Sequence, residues 1–281
     1  MSPHQQSDLA VLPSARSAMP SVNVVGLVRL LGLLLLGALA LSVSTVAAQQ
    51  TQSMPSGTIA VVIKWLPLIF SGFLFNLLIS VFAMALGTAL GVFLGLGLVA
   101  LNRPTRVACW AVMQFFRNAP WLVILFYAMF LIPFQFKVFG ISVSFPDTVK
   151  AVIGLALPVM ANVAEIVRGG IVSIPVGQWE SAESLAFSRR QILWQIILPQ
   201  AVKRMLPPWM NLYAILTMAT PLISIVGVQD GLTMTRGALV AESRPELLIP
   251  MYLALLLMFF AYCYPIALAT RVLERRFDVK N

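Results

Sequence analysis

"LPLIFSGFLFNLLISVFAMALGTALGVFLGLGLVAL", Leu66 to Leu101, runs its whole length without one Asp, Glu, Lys, Arg or His. A bilayer core of about 30 Å needs about 20 apolar residues in a helix, so this run is long enough to span a membrane. Gly87, Gly91 and Gly95 recur within it every four residues. That spacing stacks three positions without side chains on one helix face, where a second helix can approach closely. The motif predicts packing rather than chemistry.

Five more apolar stretches surround it: Val24 to Val46, Val107 to Ile132, Thr148 to Val167, Trp209 to Val228 and Leu247 to Thr270. Across all 281 residues the chain is 59% hydrophobic and 10% charged, with mean hydropathy +0.90, whereas a soluble domain carries roughly 25% charged residues. No period-2 alternation supports a membrane barrel. The expected fold is therefore an all-α polytopic membrane protein, because only helices can then satisfy the backbone in lipid. Pro120, Pro133, Pro158 and Pro221 interrupt or bound these spans.

Several chemistries are excluded by what the chain lacks. Its single histidine, His4, lies in a Ser-, Pro- and Gln-rich tail over 1–23 that reads as disordered. No Ser/His/Asp or Cys/His set can be assembled in the membrane portion, so there are no candidate catalytic residues. Cys109 and Cys263 both fall in apolar stretches without metal-ligand spacing, and the sequence calls for no metal and no cofactor. No lysine follows a glycine, so the GxxxxGK phosphate loop is missing.

The net charge of +9 is read through its distribution, since cytoplasmic loops of membrane proteins retain Lys and Arg. If the chain starts inside and crosses six times, Lys64, Lys137, Lys150, Arg236 and Arg244 fall outside. The other 14 of the 19 basic residues then lie at or near the cytoplasmic side, with both termini there. This arrangement explains the charge without nucleic acid. The stretch 24–48 is expected to be an extra N-terminal transmembrane helix, although Val46-Ala47-Ala48 also fits a signal-peptidase site. A periplasmic linker over 49–65 and a short cytoplasmic tail over 272–281 flank a five-helix core over 66–271.

Polar residues inside the spans are few: Asn76, Ser80, Asn118, Asn162, Glu165, Asn211, Thr217 and Thr220. An amide in lipid must be hydrogen-bonded, so these should face the bundle interior or a water-filled path. Helix-to-helix bonding is the default expectation. Asn76, Asn118, Asn162, Thr217 and Thr220 are the candidates for a substrate pathway. Glu165 and Arg168, three residues apart, can pair as a structural ion pair.

One polar island breaks the pattern. In Gly177–Gln200, "GQWESAESLAFSRRQILWQIILPQ", Trp179, Ala182, Leu185 and Ala186 recur at helical spacing opposite Gln178, Glu180, Glu183 and Ser184. Ser188 and Gln191 fit a capping box that opens a second short helix, which Pro199 should end; Pro207 and Pro208 should close the segment. Two short helices at the cytoplasmic surface are expected.

"AEIVRGGIVSIPVGQWESAESL" from Ala164 to Leu185, "FFRNAPWLVILFY" from Phe115 to Tyr127, "ISIVGVQD" from Ile223 to Asp230 and the closing Ile197-Leu198-Pro199 are the motifs that carry a resemblance. With these motifs the chain, from Leu66 to its end, resembles the permease subunits of bacterial ATP-binding cassette importers, in particular the polar amino-acid uptake family. Ser181 and Ala186 stand where those permeases usually have Ala and Gly, and Met218 and Ala219 stand where relatives often carry a charged pair.

The resemblance implies a permease with a cytoplasmic coupling segment over 169–208. Its ATPase-coupling residues would be Gly177, Trp179, Glu180, Ala182, Ala186 and Phe187, seated in a groove of a cytoplasmic ATPase dimer. Further implied partners are a second permease subunit, identical or paralogous, a periplasmic amino-acid-binding protein and membrane lipid. Glutamate, aspartate or glutamine would be typical cargo. An ATP-independent channel or secondary carrier is the alternative, and it would need no partner helix.

Overall fold

Three glycines set a close helix contact. The computed structural model describes residues 57–138 and 141–277; the expected tail over 1–23, the helix or signal over 24–48 and the last four residues lie outside the described residues. The first helix, α1 (Thr58–Leu98), has 41 residues and runs beside α4 (Asp147–Val172). A methyl group placed at Gly87, Gly91 or Gly95 would come within 2.5–2.7 Å of Val159, Val163 and Val167 respectively. The glycine stripe of α1 thus receives a valine ridge of α4 with the same four-residue period, and dispersion contacts replace the hydrophobic drive that lipid cannot supply.

Between them, α2 (Arg103–Asn118) and α3 (Trp121–Leu131) meet at 103°. The single span expected over 107–132 is therefore broken. Pro120 has no N–H to continue the ladder and disfavours helical geometry in the residue before it, and Ala119 adopts extended backbone (ψ 139°). After α3 a hairpin of β1 (Gln135–Val138) and β2 (Ile141–Ser144) pairs Gln135 with Ser144 and Val138 with Ile141. It is an addition to the helical architecture, with strands too short to leave a readable alternation.

Next come the short α5 (Val176–Ser184) and α6 (Arg189–Gln191), a π-helical turn Ile192–Ile197, and α7 (Leu198–Ala219), which passes into a 3-10 turn Thr220–Val226. The expectation that Pro199 and Pro207–Pro208 end helices is corrected: Arg189–Val226 is one continuous 38-residue run. A proline loses only its own i−4 bond, and the widened π turn just before Pro199, where Leu198 N–H reaches Leu193 O, re-spaces the carbonyls its ring would strike. Gly227, at φ 91°, ends the 3-10 turn. Then α8 (Gly231–Glu242) packs on α1, and α9 (Leu248–Phe277) completes the bundle.

Two expected boundaries move. Positions 58–65, read as linker, belong to α1, because Val61, Val62 and Trp65 pack on Ala238, Leu247 and Met251. The C-terminal tail read from 272 is helical to Phe277. Among the described residues, four helices are long and apolar enough to cross a membrane, and the bent α2–α3 pair makes five. This agrees with the five-helix core. Large apolar side chains such as Phe93 and Phe130 stand 74% and 79% exposed on the outside, which is the surface that lipid requires.

Candidate functional site

The polar island folds into a short lever packed against the main core. Pro175 precedes α5, whose first turn closes with Gln178 N–H donating to Pro175 O at 3.0 Å. Ala182 is buried in the main core beside Ile192, Ile197 and Ala201, with Trp179 and Phe187 packed half-buried against the same cluster. Gly177, Glu180, Ser181, Glu183 and Ser184 face outward. A methyl group at Gly177 would touch no described atom within 4 Å.

The helical spacing read through Leu185 and Ala186 is corrected: α5 stops at Ser184. Phe187 N–H donates to Ala182 O at 3.2 Å and Ala186 N–H to Glu183 O at 2.9 Å, the pair of bonds of a Schellman motif. The residue after the C-cap in that motif takes left-handed backbone, and Ala186 has φ 60°. The position demands a backbone conformation that a Cβ resists by about 1–2 kcal/mol and that glycine adopts freely. Leu185, expected on the apolar face, is 73% exposed.

Beyond the turn, the Ser188–Gln191 capping box forms as expected, with Ser188 N–H donating to Gln191 Oε1 at 2.9 Å and Gln191 N–H to Ser188 Oγ at 3.5 Å. Arg189 lies 5.2 Å over the Trp179 ring and 3.5 Å from Glu183. One side-chain bond joins α5 to α7, Gln200 Nε2 donating to Gln178 Oε1 at 3.5 Å, and Arg204 Nη1 of α7 donates to Ser173 O, at the C-cap of α4, at 2.6 Å.

The other candidates do not converge on one cavity. Asn118 is exposed and donates to Gln114 O at 2.7 Å; Asn162 is half-buried and donates to Pro158 O at 2.8 Å. Thr217 and Thr220 are buried and donate to Tyr213 O and Thr217 O. Asn76 Nδ2 donates to Thr220 Oγ1 at 3.0 Å, so Asn76, Thr217 and Thr220 come together while Asn118 and Asn162 do not join them.

Asn76 belongs to a larger buried cluster. Its amide also donates to Asp230 Oδ2 at 3.1 Å, and its oxygen accepts from Gly231 N–H at 2.9 Å. Asp230 is fully buried and caps α8, accepting from Thr233 N–H and Thr233 Oγ. Sequence reading did not single out Asp230 as a bundle residue. The signal was present, since an aspartate opening a helix with threonine three residues on is an N-cap pattern. A second polar rung, Tyr213 OH to Tyr262 OH at 2.8 Å with Ser80 Oγ 3.4 Å from Tyr213 OH, was also missed.

Glu165 and Arg168 form the expected pair, with bonds at 2.6 and 3.0 Å. Arg117 Nη1 of α2 approaches the same carboxylate at 3.9 Å. These three side chains share an open cleft of about 510 Å³ with Trp110 and Gln114.

Comparison with known proteins agrees with this architecture. Residues 87–279 match the family "binding-protein-dependent transport system inner membrane component". The probable amino-acid ABC transporter permease YckA of Bacillus subtilis is 32% identical over 76% of this chain and 91% of its own length. The probable glutamine ABC transporter permease GlnM of the same organism is 30% identical over 74% and 92%. Among solved structures, a chain from the crystal structure of an amino acid ABC transporter with histidines superimposes with TM-score 0.69 at 25% identity, covering 79% of this chain and all of that one. With five spans, a glycine-packed bundle and a match over most of its length, the chain belongs to the binding-protein-dependent transport system inner membrane components and is a multi-pass inner-membrane protein.

Proposed function

We propose that this chain is the transmembrane permease subunit of an ATP-driven importer of a polar amino acid, of the glutamate, aspartate or glutamine kind, with ATP hydrolysis on a separate subunit. Relatives named as amino-acid and glutamine permeases support the cargo class. The coupling role rests on one observation: α5 presents an outward polar face around Glu180 while Ala182 and Trp179 bury the other, and Gln178 and Ser173 bond to α7.

In this reading α5 sits at the cytoplasmic face, with both chain termini on that side, and a partner ATPase dimer receives Gly177, Glu180 and the exposed turn at Ala186. Ala182, Trp179 and Phe187 transmit the motion inward, since their side chains face the bundle. Closure of the ATPase pair would push the lever, and the bundle of this chain and a second permease subunit would pass between inward-open and outward-open states. A periplasmic amino-acid-binding protein would load the outer side.

Uptake of labelled glutamate and glutamine into vesicles carrying the chain with its co-purifying subunits tests the reading. We expect uptake that requires ATP, and Glu180→Lys should abolish it while leaving the permease inserted. Transport of equal rate without any ATPase would instead establish a channel or secondary carrier.

A further inference from the structure

Beneath the ends of α1 and α4 lies a second cleft of about 550 Å³, whose arginines the transport reading leaves unused. Four arginines line it, Arg106, Arg168, Arg189 and Arg190, and among the described residues its lining contains no aspartate or glutamate. Their protein partners neutralise only part of this charge. Arg168 is held by Glu165 at 2.6 Å, Arg189 shares Glu183 at 3.5 Å, and Arg106 reaches the uncharged carbonyl of Ala100 at 3.3 Å. The mouth of the cleft is apolar instead: Leu101, Val172 and Val176 line it and are 71%, 64% and 68% exposed. Arg168 stands near the end of the long span α4 and Arg106 near the start of α2, with hydrocarbon side chains beside them, an arrangement suited to the depth at which a bilayer changes from acyl chain to headgroup.

We propose that this cleft binds the phosphate of an anionic diacyl phospholipid from the leaflet on the α5 side. Arginine forks suit phosphate oxygens, and Arg106 and Arg190 come from two separate elements, the start of α2 and α6. The acyl chains run past Leu101 and Val172. An acidic segment of a soluble partner would satisfy the arginines but leave this apolar mouth in water, so the lipid is the better fit. Because Arg189 also stacks on Trp179, an occupied cleft braces the base of α5. The inference depends on the membrane placement of the helices and not on the identity of the cargo.

The test uses the full chain, purified in the complex it forms in its host membrane and reconstituted in nanodiscs of mixed phosphatidylcholine and phosphatidylglycerol, with retained lipids identified by native mass spectrometry. Phosphatidylglycerol should be retained in preference, and Arg106→Gln with Arg190→Gln should reduce that preference about twenty-five-fold, roughly fivefold for each guanidinium removed. The Arg106→Lys, Arg190→Lys protein keeps the charge and should keep most of the preference, which separates lipid binding from misfolding. Excess inorganic phosphate should not displace the lipid. Equal retention of the two lipids, an unchanged preference in the glutamine variant, or displacement by inorganic phosphate alone would each overturn the proposal. So would a preference that emerges only after soluble partner subunits are stripped away, since the cleft would then belong to them.

Discussion

Gly91 of α1 and Val163 of α4 are in contact so close that a Cβ added to Gly91 would lie 2.6 Å from Val163 Cβ and 2.7 Å from the carbonyl oxygen of Met160. A backbone oxygen cannot swing away as a side chain can, so the two helices must separate to admit a methyl group. Gly91→Ala should destabilise the bundle by about 1–3 kcal/mol. Gly169→Ala is the matched control, because a Cβ there meets no described atom within 4 Å. Unfolding midpoints in a denaturing-detergent titration should separate the two.

Replacing Asn76 removes three buried hydrogen bonds together. Asn76→Leu leaves Gly231 N–H without its acceptor and Asp230 Oδ2 without its amide donor. Unsatisfied buried groups of this kind cost about 1–3 kcal/mol. We expect a lowered thermal midpoint and faster amide exchange at the start of α8, read by hydrogen–deuterium exchange. Unchanged protection at Gly231 and Thr233 would show that Asn76 does not hold this helix.

Ala186 carries the opposite expectation. At φ 60° its Cβ is strained, and glycine relieves that strain while adding freedom to the unfolded chain. Ala186→Gly should be net stabilising by about 0.5–1 kcal/mol, and Ala186→Val destabilising by more than that, since a β-branched residue resists this backbone further. Thermal unfolding of the purified permease measures both.

At the other end of the bundle, Lys64 Nζ donates to Glu242 Oε1 at 2.8 Å and Trp65 Nε1 donates to the same oxygen at 2.7 Å. The lysine bond foremost, then the indole, holds the Glu242 carboxyl below its ordinary value. A depressed folded pKa gives stability that is complete above the unfolded value of about 4.3 and is lost as pH falls through the lower folded value. The contact between α1 and α8 should therefore be insensitive to pH from neutrality down to about 5 and weaken below about 4. Glu242→Gln should flatten that acid-side loss in a pH series of thermal midpoints, and added salt should shrink the difference because Lys64 is exposed.

The polytopic class, the number of spans in the core and the glycine face of α1 were legible in the chain, because each depends on what one helix must do in lipid. Hydrocarbon offers the backbone no partners, so a long uncharged run can only be a helix, and glycine at every fourth position can only make one bare face. The capping box at Ser188 and the Glu165–Arg168 pair were legible for the same local reason: their partners lie within three residues.

What the tertiary structure alone decided involves residues far apart in sequence. Pro120 and Pro199 look alike as helix breakers, yet one bends the chain by 103° and the other lies inside a continuous run. The difference lies in whether the carbonyls displaced by the ring find room, which the π turn provides before Pro199 and nothing provides at Ala119. Ala186 reads as one more apolar residue on a helix face until the Schellman bonds place it beyond the helix end. Asp230 reads as a loop residue until Asn76, 154 positions away, reaches it inside the bundle. Sequence spacing encodes hydrogen bonds that close within a turn or two; a bond between distant segments exists only after packing has excluded water from both.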